Sequence, residues 1–176
     1  MIPSDHFVRF YNEVFKFLDS RNALEPYYRE ISRHQEMHCL ELFRKEGLKG
    51  VMKYCGRIRV EENCGLELEL LPDRMISHMT KCPSLSKVLD SDAEPCAKYC
   101  DHCYGWCGPL STKCGMYLVT NIMSRTEPRC MSVTTESREV AQEIYQGFLD
   151  EGYSPDLIKT NLPDWEEVER NRATRS

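Results

Sequence analysis

Four thiols stand close together in the run Cys96-Ala-Lys-Tyr-Cys100-Asp-His-Cys103-Tyr-Gly-Trp-Cys107-Gly-Pro. Their spacing, i, i+4, i+7 and i+11, is helical, and at 100° per residue the four fall within an arc of roughly 60°. Such a stripe can pack as small apolar groups, hold a metal ion or an iron–sulfur cluster, or enter redox chemistry, and all three readings stay open at this level. Geometry narrows them. Cβ atoms at i and i+4 on a helix lie about 5–6 Å apart, wider than the roughly 3.5–4.5 Å of a disulfide. Cys96 and Cys107 would be separated by about 16 Å along the axis, so one ion cannot use all four thiols. It would take two neighbours and complete its shell from Cys82, Cys130 or His78. The expected ligand pool for zinc or a cluster is therefore Cys82, Cys96, Cys100, Cys103, Cys107, Cys130 and His78. Tyr99 and Trp106 flank the stripe on one side as candidate cofactor-contacting residues.

The same thiols can act as nucleophiles if a base or a positive neighbour lowers a pKa that is ordinarily about 8.5. Cys103 and Cys130 are the candidates, with Asp101, His102 and Glu127 as proton shuttles. The helical wheel turns Asp101 and His102 away from the stripe, so Glu127 or His78 is the expected partner of Cys103. Glu127-Pro-Arg-Cys130 places a carboxylate and a thiol on one turn ahead of a strand. Neither nucleotide-binding glycine fingerprint is present, and no Gly-x-Ser-x-Gly elbow. His34 and His38 have metal-compatible spacing but lack the glutamate of a zinc protease, which leaves them a solvated or packing role. Glu67 and Glu69 alternate with leucines and read as a solvated sheet face.

These residues must be positioned by the surrounding elements. Apolar spacing predicts helices over Ser4–Leu18 (Phe7, Phe10, Tyr11, Val14, Leu18), from Pro26 towards Gly47, and over Leu48–Arg59. After Gly65 the period changes to two: Leu66–Leu71 and Met75–Thr80 form a hairpin across Pro72-Asp73. A helix follows Pro83, and Gly108-Pro109 is expected to end the cysteine segment. Met116–Met123 and Arg129–Thr135 read as strands, and Ser137–Leu149 as a helix. The sum is an α+β domain over residues 1–150, with helices over 4–62 and then a largely antiparallel sheet packed against a Cys-rich helix over 65–150. Residues 151–176 read as a polar tail.

Ten cysteines in 176 residues, a net charge of −5, 41% hydrophobic and 29% charged residues describe a folded chain without a basic nucleic-acid footprint. No apolar run is long enough to span a membrane. Met1-Ile-Pro-Ser-Asp5 shows no secretory pattern, so the expectation is a cytoplasmic chain with reduced thiols. Expected partners are a small-molecule substrate or ligand and a second copy of the chain through the N-terminal helices.

From Leu66 to Thr135 the sequence resembles the small α+β domain of the 4-vinyl reductase-like and L-2-amino-thiazoline-4-carboxylic acid hydrolase-like proteins. The resemblance lies in Thr80-Lys-Cys82-Pro83, Cys100-Asp-His-Cys103, Gly105, Gly115 and Thr126-Glu-Pro-Arg-Cys130-Met-Ser-Val133. It implies a pocket between a cysteine-bearing helix and the sheet, used either for a metal or small ligand or for cysteine-assisted hydrolysis of a cyclic amidine. The chain departs from the pattern in its extra thiols, Cys96 and Cys107, and in Pro128, where the turn is usually rich in Gly and Asp. Cys96-x3-Cys100-x2-Cys103 also matches the cluster motif of radical S-adenosylmethionine enzymes, but the βα repeats that should follow it are absent. The expected function is a hydrolase-like enzyme on a small C–N substrate; the alternatives are a metal- or cluster-binding sensor or carrier, and a module whose cysteines only pack.

Overall fold

The computed structural model describes residues 3–33 and 39–175. His34 and His38 lie outside the described residues.

The N-terminal part is helical: α1 (Pro3–Asp19), α2 (Leu24–Arg33), α3 (Glu41–Glu46) and α4 (Leu48–Glu61). α1 faces inward with Val8, Tyr11, Phe15 and Leu18, whereas Phe7 and Phe10 are each 62% exposed. The face differs from the expected one because it is centred on a polar residue. Asn12 is only 1% exposed, and its amide accepts from the Cys96 N–H at 2.8 Å and donates to the Glu94 carbonyl at 3.0 Å. Two backbone groups, the buried Cys96 N–H and the Glu94 carbonyl, thus set the rotation of the helix.

The sheet has five strands in the order β1-β2-β4-β3-β5, with every neighbouring pair antiparallel. The strands are β1 (Gly65–Leu70), β2 (Arg74–Lys81), β3 (Tyr117–Asn121), β4 (Cys130–Thr135) and β5 (Ile158–Thr160). Between them run α5 (Pro83–Leu89), α6 (Asp101–Lys113) and α7 (Arg138–Asp150), and α8 (Trp165–Ala173) follows β5. The chain is an α+β fold. Strand alternation divides the residues cleanly. Met75 and Leu68 pack with Val51, Leu110 and Cys114 beneath α4 and α6, while Tyr117 and Val119 pack with Ala141, Phe148 and Val168 beneath α7 and α8. Met79 and Cys130 are register partners on the α6 side.

Residues 151–175 are not a loose tail. β5 completes the sheet, and Ile158 and Val168 are buried. Asn161 fixes this segment: its side chain accepts from the Leu118 N–H at 2.8 Å and donates to Thr112 Oγ1 at 2.8 Å and the Met116 carbonyl at 3.0 Å. Gly115, at φ +67°, lets the chain pass the Arg172 backbone, which a Cβ would approach to 2.4 Å. The buried positions here are too sparse for a periodicity to reveal them. Among the described residues no helix is long and apolar enough to cross a membrane.

Candidate functional site

The expected four-thiol stripe is split. α6 begins at Asp101, so Cys96 lies before it and Cys100 is its N-cap. In a continuous helix the Cys96 N–H would bond to a carbonyl four residues earlier; here Asn12 takes it, and Pro95 biases the residue before it towards extended backbone. Cys96 is buried among Phe15, Leu85 and Tyr99 rather than placed beside Cys103. At the other end the helix runs through Pro109 to Lys113 instead of stopping there. The residue whose carbonyl the proline ring crowds is Gly105, which offers no side chain to add to the crowding.

His102 and Cys103 form a reactive pair. His102 is 7% exposed and is walled by Phe15, Tyr99 and Trp106, with ring centroids 5.5, 5.0 and 4.9 Å away. Its Nδ1 meets the Tyr99 carbonyl, which can only accept, so Nδ1 carries the proton. Nε2 then presents its lone pair to Cys103 Sγ, 3.3 Å away. Burial, the leading cause, holds the imidazole pKa below the usual histidine range; the Tyr99 hydrogen bond and Asp101 pull the other way. The helical wheel had separated these side chains, but an imidazole folded back on the first turn still reaches its sequence neighbour.

Cys103 and Cys107 are exposed at their edges while other protein atoms crowd around them. Burial pushes the Cys103 thiol up to about 11. Around it gather Cys100 at the α6 N-cap, Cys82 at the α5 N-cap and Cys130 at the start of β4. The end of β2 is fixed by the Cys82 N–H donating to the Pro128 carbonyl at 2.7 Å. Burial comes first and Cys103 second in pushing Cys100 up to about 12, and burial, Cys103, Cys82 and Cys100 together push Cys130 still higher. Cys82 is also raised, mainly by burial, while the Leu85 N–H at 3.5 Å from its sulfur pulls it down. On the far side, Cys107 feels Cys103, Cys55 and Cys39 after burial. All ten cysteines are free thiols. As placed, no group of three or more His, Cys, Asp or Glu side chains among the described residues could hold a metal ion.

Several expected members stand elsewhere. His78 is on the opposite face of the sheet from Met79, its Nδ1 3.5 Å from Glu67 Oε2, so it cannot complete a site with these thiols. Glu127 is exposed and paired with Arg129 at 2.7 Å. Asp101 turns away from Cys103 and is shared by Arg125 at 2.8 Å and Lys159 at 3.5 Å. Tyr99 and Trp106 wall in His102 rather than facing an open cofactor site. The Tyr99 hydroxyl is bonded to Ser84 at 2.6 Å, and Trp106 Nε1 is buried without a hydrogen-bond partner among the described residues. Two positioning residues escaped sequence reasoning. Asn12 sets the start of α6, and its one visible signal was a polar residue inside an apolar stripe. Arg125 ties the β3–β4 connection to Asp101 and, at 2.9 Å, to the Ala97 carbonyl; nothing in its sequence context marks it. No protein-family model, no curated protein and no solved structure matches this chain.

Proposed function

We propose that this chain is a hydrolase-like enzyme for a small C–N substrate of the cyclic amidine type, with Cys103 as nucleophile and His102 as its base. One observation carries the reading: Cys103 Sγ lies 3.3 Å from His102 Nε2, with the imidazole oriented through Nδ1 by the Tyr99 carbonyl. Burial disfavours charge on both partners, so the pair rests as neutral thiol and neutral imidazole, and proton transfer accompanies attack. Nε2 takes the thiol proton as sulfur bonds to the amidine carbon. The imidazolium returns that proton to the departing nitrogen as the C–N bond breaks. Nε2 then deprotonates a water, which cleaves the carbon–sulfur bond and restores the thiol. The substrate class rests on the resemblance over Leu66–Thr135. Ten free thiols are in keeping with a reducing, cytoplasmic setting.

A different observation favours a second reading. Cys82, Cys100, Cys103 and Cys130 approach from the α5 N-cap, the α6 N-terminus and the start of β4, and Cys103 opposes ionisation of the other three. Four soft sulfurs are the donor set of zinc or an iron–sulfur cluster. These four would have to draw closer than they stand to hold the group, whose positive charge would then stabilise their thiolate forms. Anaerobic purification, elemental analysis and mass mapping of limited iodoacetamide labelling separate the two readings. The nucleophile reading expects no stoichiometric metal and Cys103 as the fastest-labelled thiol. His102→Ala should slow that labelling and lower amidine hydrolysis by roughly 100-fold or more. Stoichiometric zinc or a brown chromophore, lost in Cys82→Ser or Cys130→Ser, would replace it with the metal reading. Inert thiols without metal would remove both.

A further inference from the structure

α6 has a second working face. At 100° per residue, Asp101, Gly105 and Pro109 point roughly 120–160° away from Cys103 and Cys107, and Tyr104 stands between the two faces, roughly 60–100° from those thiols. They line a cleft of about 530 Å³ between α6, the α1–α2 connection and the segment around Lys159 and Asp164. That volume is in the range of small-molecule sites. The Tyr28 ring lies hard against α6, where a Cβ on Gly105 would come within 2.7 Å of it, and forms part of the wall.

The charges in the cleft are arranged in a way that specifies a ligand. Lys98 and Asp19 are paired at 2.6 Å and satisfy each other. Lys159 is held more loosely, 3.5 Å from an Asp101 carboxylate that Arg125 already engages at 2.8 Å. Asp164 has no ion-pair partner among the described residues, and although it is the N-cap of α8 its side chain makes no capping hydrogen bond. Beside it stands Tyr104, near enough for the carboxylate to oppose ionisation of the phenol. An unpaired carboxylate next to an aromatic ring attracts an ammonium, and a loosely held lysine attracts a carboxylate.

We infer that this cleft binds a small amphoteric amine of amino-acid size, its ammonium between Asp164 and the Tyr104 ring and its carboxylate on Lys159. This site is separate from the Cys103–His102 pair and does not depend on the reading given to that pair.

Calorimetric titration of the whole chain at pH 7 with the twenty standard amino acids, and with butylamine and butyrate as singly charged probes, tests the assignment. At least one amino acid should bind saturably and one to one, with both singly charged probes about tenfold weaker or more. Asp164→Asn and Lys159→Met should each weaken that binding by about tenfold, and Cys103→Ser should leave it unchanged. Asp164 is exposed and its side chain makes no capping bond, so its substitution leaves the fold intact. Failure of every amino acid to saturate, equal binding of butylamine or butyrate, or binding that survives the Asp164→Asn change would overturn the inference. Loss of binding in Cys103→Ser would instead move the ligand to the thiol face.

Discussion

The two faces of α6 solve the same problem, holding reactive groups still, by opposite means. On the thiol face uncharged contacts do the holding: aromatic rings pack around His102, and the Cys96 N–H donates to Asn12 in a buried hydrogen bond that fixes the backbone. On the cleft face the contacts are ion pairs, Lys98 with Asp19 and both Lys159 and Arg125 with Asp101. Contacts of the first kind are costly to lose, because the abandoned group remains buried. Those of the second kind are inexpensive to lose, because water and salt replace them.

This contrast is open to direct attack. The largest effect should come from Asn12→Ala, which strips the partner from a buried N–H. About 2 kcal/mol of unfolding free energy should disappear, read by urea denaturation, together with protection of the Cys96 amide in hydrogen exchange. A cost below that of removing a cleft ion pair would end the comparison.

A middle-sized effect should follow pH in two directions. The His102 pKa is depressed in the fold, so between about 6.5 and its lower folded value the unfolded chain binds more protons. Stability should be full above about 6.5 and fall as the pH drops below it, and His102→Gln should flatten that limb relative to the parent. Cys103 behaves inversely. Its pKa is raised from 9.0 to about 11, so its contribution is full below 9.0 and is lost as the pH rises towards about 11. Denaturant midpoints measured across this range, with Cys103→Ser as reference, check the alkaline limb.

The smallest effect belongs to Lys98→Met. The Lys98 side chain is 55% exposed, and its pair with Asp19 should contribute no more than about 0.5–1 kcal/mol, shrinking further in high salt. A salt-insensitive loss larger than that of Asn12→Ala would show that the cleft face, not the thiol face, holds the segment.

Much of the frame could be read from the chain because its signals are local. Alternating Leu66, Leu68 and Leu70 with a Pro72-Asp73 turn specify the first hairpin, and Ser137, whose hydroxyl accepts from the Val140 N–H at 3.2 Å, marks the start of α7. Turn chemistry likewise brought Cys82 and Cys130 to one end of the sheet. What escaped depends on distant partners. The start of α6 is decided by Asn12, 84 residues earlier in the chain, and no periodicity within 96–107 contains that information. The wheel, which records Cα directions, could not register that His102 bends back to Cys103. Glu127 and Asp101 were chemically suitable, but each is engaged by an arginine away from Cys103.

The way Asn161 stands in for a strand partner has a consequence for the order in which the molecule is built. Its side-chain oxygen takes the Leu118 N–H, and its amide closes the Thr112 hydroxyl and the Met116 carbonyl, tasks that belong to a stretch of β3 and α6 made more than forty residues earlier. During synthesis the ribosome therefore releases β3 with one side unpaired and unshielded, and it stays so until β5 and Asn161 emerge. In that interval the exposed edge is a template for any neighbouring strand, including that of another nascent chain. That later segment is thus the latch that covers this edge of β3.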